Sequence, residues 1–162
     1  MTMDSYLEHE AAINALSNKY TDATNNRDWV RYRSCWTADA VWELGDPVNQ
    51  KKVGIEAIMA EVQRAVGAMD LFVQMNHAVT VLSIDGDTAL ARCTLNEIGR
   101  ILPEHRALLG GAEGMYILAI YADELRRESG TWRYSRRAYQ VVLFDGHAPK
   151  GTVYPLQPAK DQ

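Results

Sequence analysis

Residues 71–101 read LFVQMNHAVTVLSIDGDTALARCTLNEIGRI, two long strand-like runs either side of Asp85-Gly86-Asp87. A glycine in a short polar turn between alternating segments is a hairpin signal. Successive strand side chains point to opposite faces. From 73 to 83 the odd positions are Val73, Met75, His77, Val79 and Val81, and the even ones Gln74, Asn76, Ala78, Thr80 and Leu82. Strict alternation therefore predicts that His77 points where four apolar residues point. Histidine changes charge most readily near neutral pH. On an apolar face it is either a hydrogen-bonded core residue or the polar group of a pocket.

Two further strands follow, over 113–127 and 131–144, joined by a turn at Glu128-Ser129-Gly130. A loop around Pro103-Glu104-His105 and Gly110-Gly111 precedes them. Ahead of the hairpin, residues 5–26 carry Ile13, Leu16, Tyr20 and Ala23 at helical spacing. Asp28 is a plausible N-cap for a second helix bearing Trp29, Tyr32 and Trp36. Residues 39–45 read as a short strand ended by Gly45-Asp46-Pro47. A third helix follows Gly54, with Ile55, Ile58, Met59, Val62 and Val66 on its apolar side. Helices first and a strand meander after argue an α+β domain over 1–145, with an irregular tail over 146–162. A strongly curved antiparallel sheet wrapped over three N-terminal helices would enclose a cone-shaped cavity, the usual form of a small-molecule site.

The chain has 162 residues, is 47% hydrophobic and carries a formal net charge of -4. That balance fits one globular domain and provides no basic footprint for nucleic acid. No apolar run approaches the ~20 residues that span a bilayer. The N-terminus has no charged leader followed by an apolar stretch, so no secretory signal is expected. Cys35 and Cys93 have neither metal nor redox spacing, and reduced thiols in a cytoplasm are expected. Phosphate loops, dinucleotide fingerprints and zinc motifs are absent from the pattern, so neither a metal nor an organic cofactor is predicted.

Several motifs in order resemble the SnoaL-like family of the nuclear transport factor 2-like superfamily. They run from Tyr20 through Asn25 to Asp28-Trp29, then Trp36 to Trp42, Gly54 to Ile58, Asn76-His77, and Gly130 to Tyr134. The resemblance implies a cone-shaped α+β barrel holding an apolar substrate. In the family's dehydratases and dehydrochlorinases a strand His abstracts a proton, and an Asp near the end of the first helix orients it. Carried over, the catalytic pair is His77 and Asn25. Asn25 is a departure, because an amide brings no negative charge to steady an imidazolium. Asp22, Glu97 and Glu113 are the candidate acids to stand in for it.

The resemblance also implies substrate contacts at Trp42, Tyr121 and Arg137; Tyr20 joins them from the apolar stripe of the first helix. Both faces of the third long strand are apolar, so alternation alone does not decide whether Tyr116 or Tyr121 faces inward. The expected function is a lyase or isomerase moving a proton on an apolar cyclic substrate. The alternatives are a non-catalytic binding domain on the same cone, or a small partner subunit of a dioxygenase-like complex. A homodimer or homotrimer is expected, because a curved sheet leaves its convex face to be covered.

Overall fold

The computed structural model describes residues 3–154. Helix α1 (Met3–Asn26) and the short α2 (Trp29–Arg33) lead into β1 (Trp36–Leu44) and β2 (Gln50–Val53). Helix α3 (Ile55–Gly67) then precedes β3 (Met69–Asp85), β4 (Thr88–Ile101), β5 (Gly114–Glu128) and β6 (Thr131–Asp145). The Asp28 side chain accepts from the Arg31 backbone N–H at 3.0 Å, so the predicted cap starts α2. Trp36 belongs to β1 rather than to that helix. Strand β2 was not anticipated, and residues Pro103–Leu109, read as loop, form a 3₁₀ turn.

The two long hairpins have two-residue loops, with Asp85 facing Thr88 and Glu128 facing Thr131. Ser129 and Gly130 both have positive φ, 50° and 81°, the form whose twist matches the flanking strands.

The six strands lie in the order β2-β1-β6-β5-β4-β3. All neighbours are antiparallel except β1 and β6, which run parallel. The sheet is thus mixed and open at both edges, where an antiparallel one was expected. A parallel pair needs a long crossover, supplied here by everything between β1 and β6.

The sheet is strongly concave. Residues of β1, β3, β4, β5 and β6 line one cavity together with residues of α1 and α3. Laid flat, five strands would span about 19 Å between their outer axes. Side chains from all five reach one cavity only because the sheet curls around the helices. The predicted helical stripes fill the hollow: Ile13, Leu16, Tyr20 and Ala23 of α1, with Ile58, Met59, Val62 and Val66 of α3, are all buried.

Curling has a cost in register. Extra residues interrupt pairing in β3 between Asn76 and Val79, and in β6 between Tyr134 and Arg136 and again between Val141 and Leu143. Each such bulge bends the strand and resets which parity faces inward. Strand β4 pairs with β5 without interruption from Thr88 to Arg100, so its alternation survives whole. Gly99 on its inner side leaves room for two methionines: a Cβ there would lie 2.7 Å from Met69 Sδ and 2.9 Å from Met115 Cγ, so both side chains would have to move.

Beyond β6, residues 146–154 carry no helix or strand, and the rest of the expected tail lies outside the described residues. Both cysteines are free and buried, and burial pushes the Cys35 thiol up to about 11. Among the described residues no helix is long and apolar enough to cross a membrane.

Candidate active site

The concave side holds a partly open cavity of about 550 Å³. Its walls are mainly apolar, among them Trp42, Leu44, Val62, Val66, Met69, Phe72, Met115, Ile117 and Phe144. Gln50, Arg64 and Phe144, all exposed, mark its mouth.

A polar cluster sits in this wall. Glu97 on β4 is 7% exposed. Its Oε2 accepts from the Tyr139 hydroxyl at 2.6 Å, and its Oε1 from Gln74 Nε2 at 2.8 Å. Burial pushes the Glu97 carboxyl above its ordinary range; those two hydrogen bonds, and Arg137 at longer reach, oppose the rise without cancelling it. Gln74 also donates to the Tyr121 hydroxyl at 3.3 Å and accepts from Thr21 Oγ1 at 3.2 Å. The Tyr20 hydroxyl lies 3.5 Å from that of Tyr121 and 3.2 Å from that of Tyr32. Burial raises the pKa of all four tyrosines, so they act as neutral hydroxyls.

A second acid, Glu61 of α3, reaches the lining from the other side. Burial alone would raise its carboxyl, but Arg64 at 2.5 Å and Lys52 at 2.9 Å outweigh burial and hold it low. Glu61 is therefore a neutralised ion-pair member, whereas Glu97 has no cation paired with it among the described residues.

Behind the cavity wall, Arg137 is fully buried. It binds Asp123 through two hydrogen bonds of 2.8 and 2.9 Å. Its guanidinium stacks on the rings of Tyr121, Tyr134 and Tyr20, at 3.7, 3.9 and 4.3 Å from their centroids. Burial works against the charge, but Asp123, together with Tyr134 and Tyr20, outweighs it and keeps Arg137 protonated.

The family profile described as a SnoaL-like domain matches residues 5–138. The chain belongs to the SnoaL-like family. Among solved structures, LinA is similar, with 20% identity over 96% of this chain and 100% of that one and a TM-score of 0.79. Hexachlorocyclohexane dehydrochlorinase LinA-type3 from Novosphingobium barchaimii LL02 follows at 21% identity, 95% and 100% coverage and TM-score 0.78. An NTF2-like protein with a cystatin-like fold from Novosphingobium aromaticivorans gives 21%, 85% and 84%, and 0.70. At these identities the likeness is one of fold, the cone-like α+β fold of that superfamily. No protein of curated function matches the sequence.

Within this SnoaL-like cone the sequence-derived site residues divide. Tyr20, Trp42 and Tyr121 are buried and line the cavity together. Tyr121 faces inward, and Tyr116, the other candidate, is 42% exposed. Arg137 is inside but behind Tyr20 and Tyr121, committed to Asp123 rather than lining the space.

His77 is a correction. It sits at the β3 bulge on the outer face, exposed, with Nε2 2.5 Å from Asn96 Oδ1. Before the bulge it is Gln74 that points inward, while Val73 and Met75 are exposed; after it Val79 and Val81 do so. Asn25 is corrected with it. It holds no imidazole and instead clamps the Gln74 backbone: Oδ1 accepts from the Gln74 N–H at 2.7 Å, and Nδ2 donates to the Gln74 C=O at 2.8 Å.

Of the three stand-in acids, Glu97 enters the cavity. Glu113 pairs with Arg106 and Asp22 with Arg31, both at the surface. The sequence reading missed Gln74, Asp123 and the contact between Tyr139 and Glu97. Tyr139 shares the face of Arg137 and Val141 in the sequence, which was the available signal for it. Gln74 had none, because its inward direction depends on the bulge. Among the described residues no three His, Cys, Asp or Glu side chains gather as a metal-binding set.

Proposed function

We propose that this chain is a lyase or isomerase that transfers a proton on an apolar cyclic substrate, with Glu97 as the group that takes the proton. One observation carries the reading: a buried carboxylate, with no cation partner among the described residues, stands in the wall of a mostly apolar cavity. Burial raises its pKa above that of an ordinary glutamate, the direction that strengthens a carboxylate as a base. Tyr139 and Gln74 hold both oxygens in place. In the proposed step a substrate C–H bond breaks and its proton goes to Glu97. The electron pair forms a double bond as a leaving group departs, or shifts an existing one before the proton returns to another carbon. The similarity to dehydrochlorinase structures supports the fold in which such a step is housed.

The test is solvent exchange. Apolar cyclic compounds bearing an acidified C–H are incubated with the protein in deuterated water and followed by mass spectrometry. Wild type should incorporate deuterium or release product, and Glu97→Gln should bind but do neither. Exchange that persists unchanged in Glu97→Gln would remove Glu97 from the mechanism.

A non-catalytic ligand-binding domain is the second reading. It is favoured by the fact that both Glu97 oxygens already accept a hydrogen bond from the protein. Ligand binding without exchange in any compound would support it.

We also propose self-association through the outer sheet face, where Val73, Met75, Tyr116 and Leu143 are exposed. Light scattering at micromolar concentration should give a dimer or trimer mass.

A further inference from the structure

We propose that the ligand of this cavity carries a hydroxyl group on its apolar ring system and donates that hydroxyl to Glu97. The proposal rests on reading the cavity as a ligand site, and it adds the class of molecule that fits.

It follows from an inventory of donors and acceptors. A carboxylate has about four lone-pair sites. Protein donors occupy one on each oxygen of Glu97, Gln74 at Oε1 and Tyr139 at Oε2. The rest are acceptor positions with no partner among the described residues, in a wall that is mainly apolar.

Most donors beside Glu97 are already engaged. Gln74 Nε2 directs its hydrogens to Glu97 and Tyr121. Tyr139 donates to Glu97, and Thr24 donates to the Tyr20 backbone C=O at 2.8 Å. The Tyr121 hydroxyl, accepting from Gln74, is left to continue the chain toward Tyr20 and Tyr32, away from the carboxylate. Among the described residues the Trp42 indole N–H and Arg137 Nη1 have no hydrogen-bond partner, but neither exposes surface, and Arg137 lies behind the wall. Arg64, at the mouth, is bound to Glu61.

The interior of the site can therefore accept a hydrogen bond and has little to offer as a donor. A ligand whose only polar atoms are acceptors, such as an ether, a ketone or a halocarbon, would leave Glu97 desolvated and unmatched. A ligand hydroxyl matches it. A hydrogen bond to a charged group is worth enough for about a tenfold preference or more. A neutral donor is also in keeping with the wall, because Tyr139 and Gln74 already stabilise the carboxylate without a cation.

Calorimetric titration of the full chain with borneol, its methyl ether and bornylamine tests this. The three share one bicyclic hydrocarbon body and differ in the polar group. Wild type should bind borneol at least about tenfold more tightly than the ether. Glu97→Gln should bring the two affinities together.

Should Glu97→Gln fail to fold, Tyr139→Phe serves. It removes the protein donor at Oε2 and should widen the preference for borneol. Equal affinity of alcohol and ether in wild type, an unchanged ratio in the variants, or no binding of any of the three would overturn the proposal. Tighter binding of bornylamine than of borneol would also overturn it, in favour of a cationic ligand. Because titration needs no turnover, a hydroxyl preference without solvent exchange would leave this inference standing while the catalytic reading fails.

Discussion

Asn25 holds Gln74 by both of its backbone polar groups, at 2.7 and 2.8 Å. Strand β3 is an edge of the sheet, so these groups would otherwise face out unpaired. The side-chain amide plays the part of a neighbouring strand at one residue. Its effect on the site is indirect but direct in consequence: Gln74 is the residue that meets Glu97, Tyr121 and Thr21.

That clamp needs an amide, with one acceptor and one donor. Asn25→Asp keeps the acceptor, removes the donor and sets a carboxylate against the Gln74 carbonyl. We expect Asn25→Asp to lose about 1–3 kcal/mol in urea unfolding, as for a hydrogen-bonded group left unmatched. Faster amide exchange at Gln74 should accompany the loss. An equally stable variant with a protected Gln74 amide would refute the clamp.

Arg137 and Asp123 form a buried ion pair, with side-chain exposures of 0% and 2%. Removing one partner leaves an uncompensated charge, which typically costs about 3–5 kcal/mol. We expect Arg137→Ala to fall in that range by denaturant unfolding. Arg137→Lys should not rescue it, since an ammonium can neither make the two-pronged contact nor stack on Tyr121 and Tyr134 as a guanidinium does. Full recovery by lysine would show that charge alone suffices there.

His77→Ala removes an exposed ring bonded to Asn96. Surface substitutions of this kind change stability by about 0.5 kcal/mol or less. Ligand affinity and any turnover should match wild type. A large loss of turnover with the fold intact would return His77 to the mechanism.

The raised Glu97 carboxyl makes stability depend on pH in a definite direction. Its folded-state pKa lies above that of the unfolded chain. Once pH exceeds the unfolded value, the folded state therefore binds more protons than the unfolded state. Stability from this group is full below the unfolded pKa and is lost as pH rises through the folded one. Glu97→Gln does not titrate. Its stability relative to wild type should rise as pH climbs above the ordinary glutamate range, in urea titrations run at several pH values. A difference that is flat with pH would mean that the Glu97 pKa is not raised.

The helices, the four long strands and their turns were legible because each has a local cause. Apolar residues recur at helical spacing in α1 and α3, and Gly86, Ser129 and Gly130 supply the backbone conformations that tight hairpins require. The site was legible only in part. On β4 simple alternation placed Glu97 with Ala89, Ala91, Cys93 and Leu95, and all five are buried together. On β3 the same reasoning put His77 inside and Gln74 outside, and the structure reverses them. Asp123 and Arg137 sit on different strands, and their pairing is set by the β5–β6 register.

Periodicity is a property of the chain, so the sequence by itself determined the three helices and the four long strands, though not β2 or the parallel β1–β6 pairing; the SnoaL-like cone was implied by the resemblance of its motifs, not by periodicity. Side-chain direction over a long strand is not such a property once the strand must bend. Bulges in β3 and β6 let the sheet curl around α1 and α3, and each one exchanged the inner and outer faces beyond it. Which polar residues share the cavity was decided there, by tertiary packing.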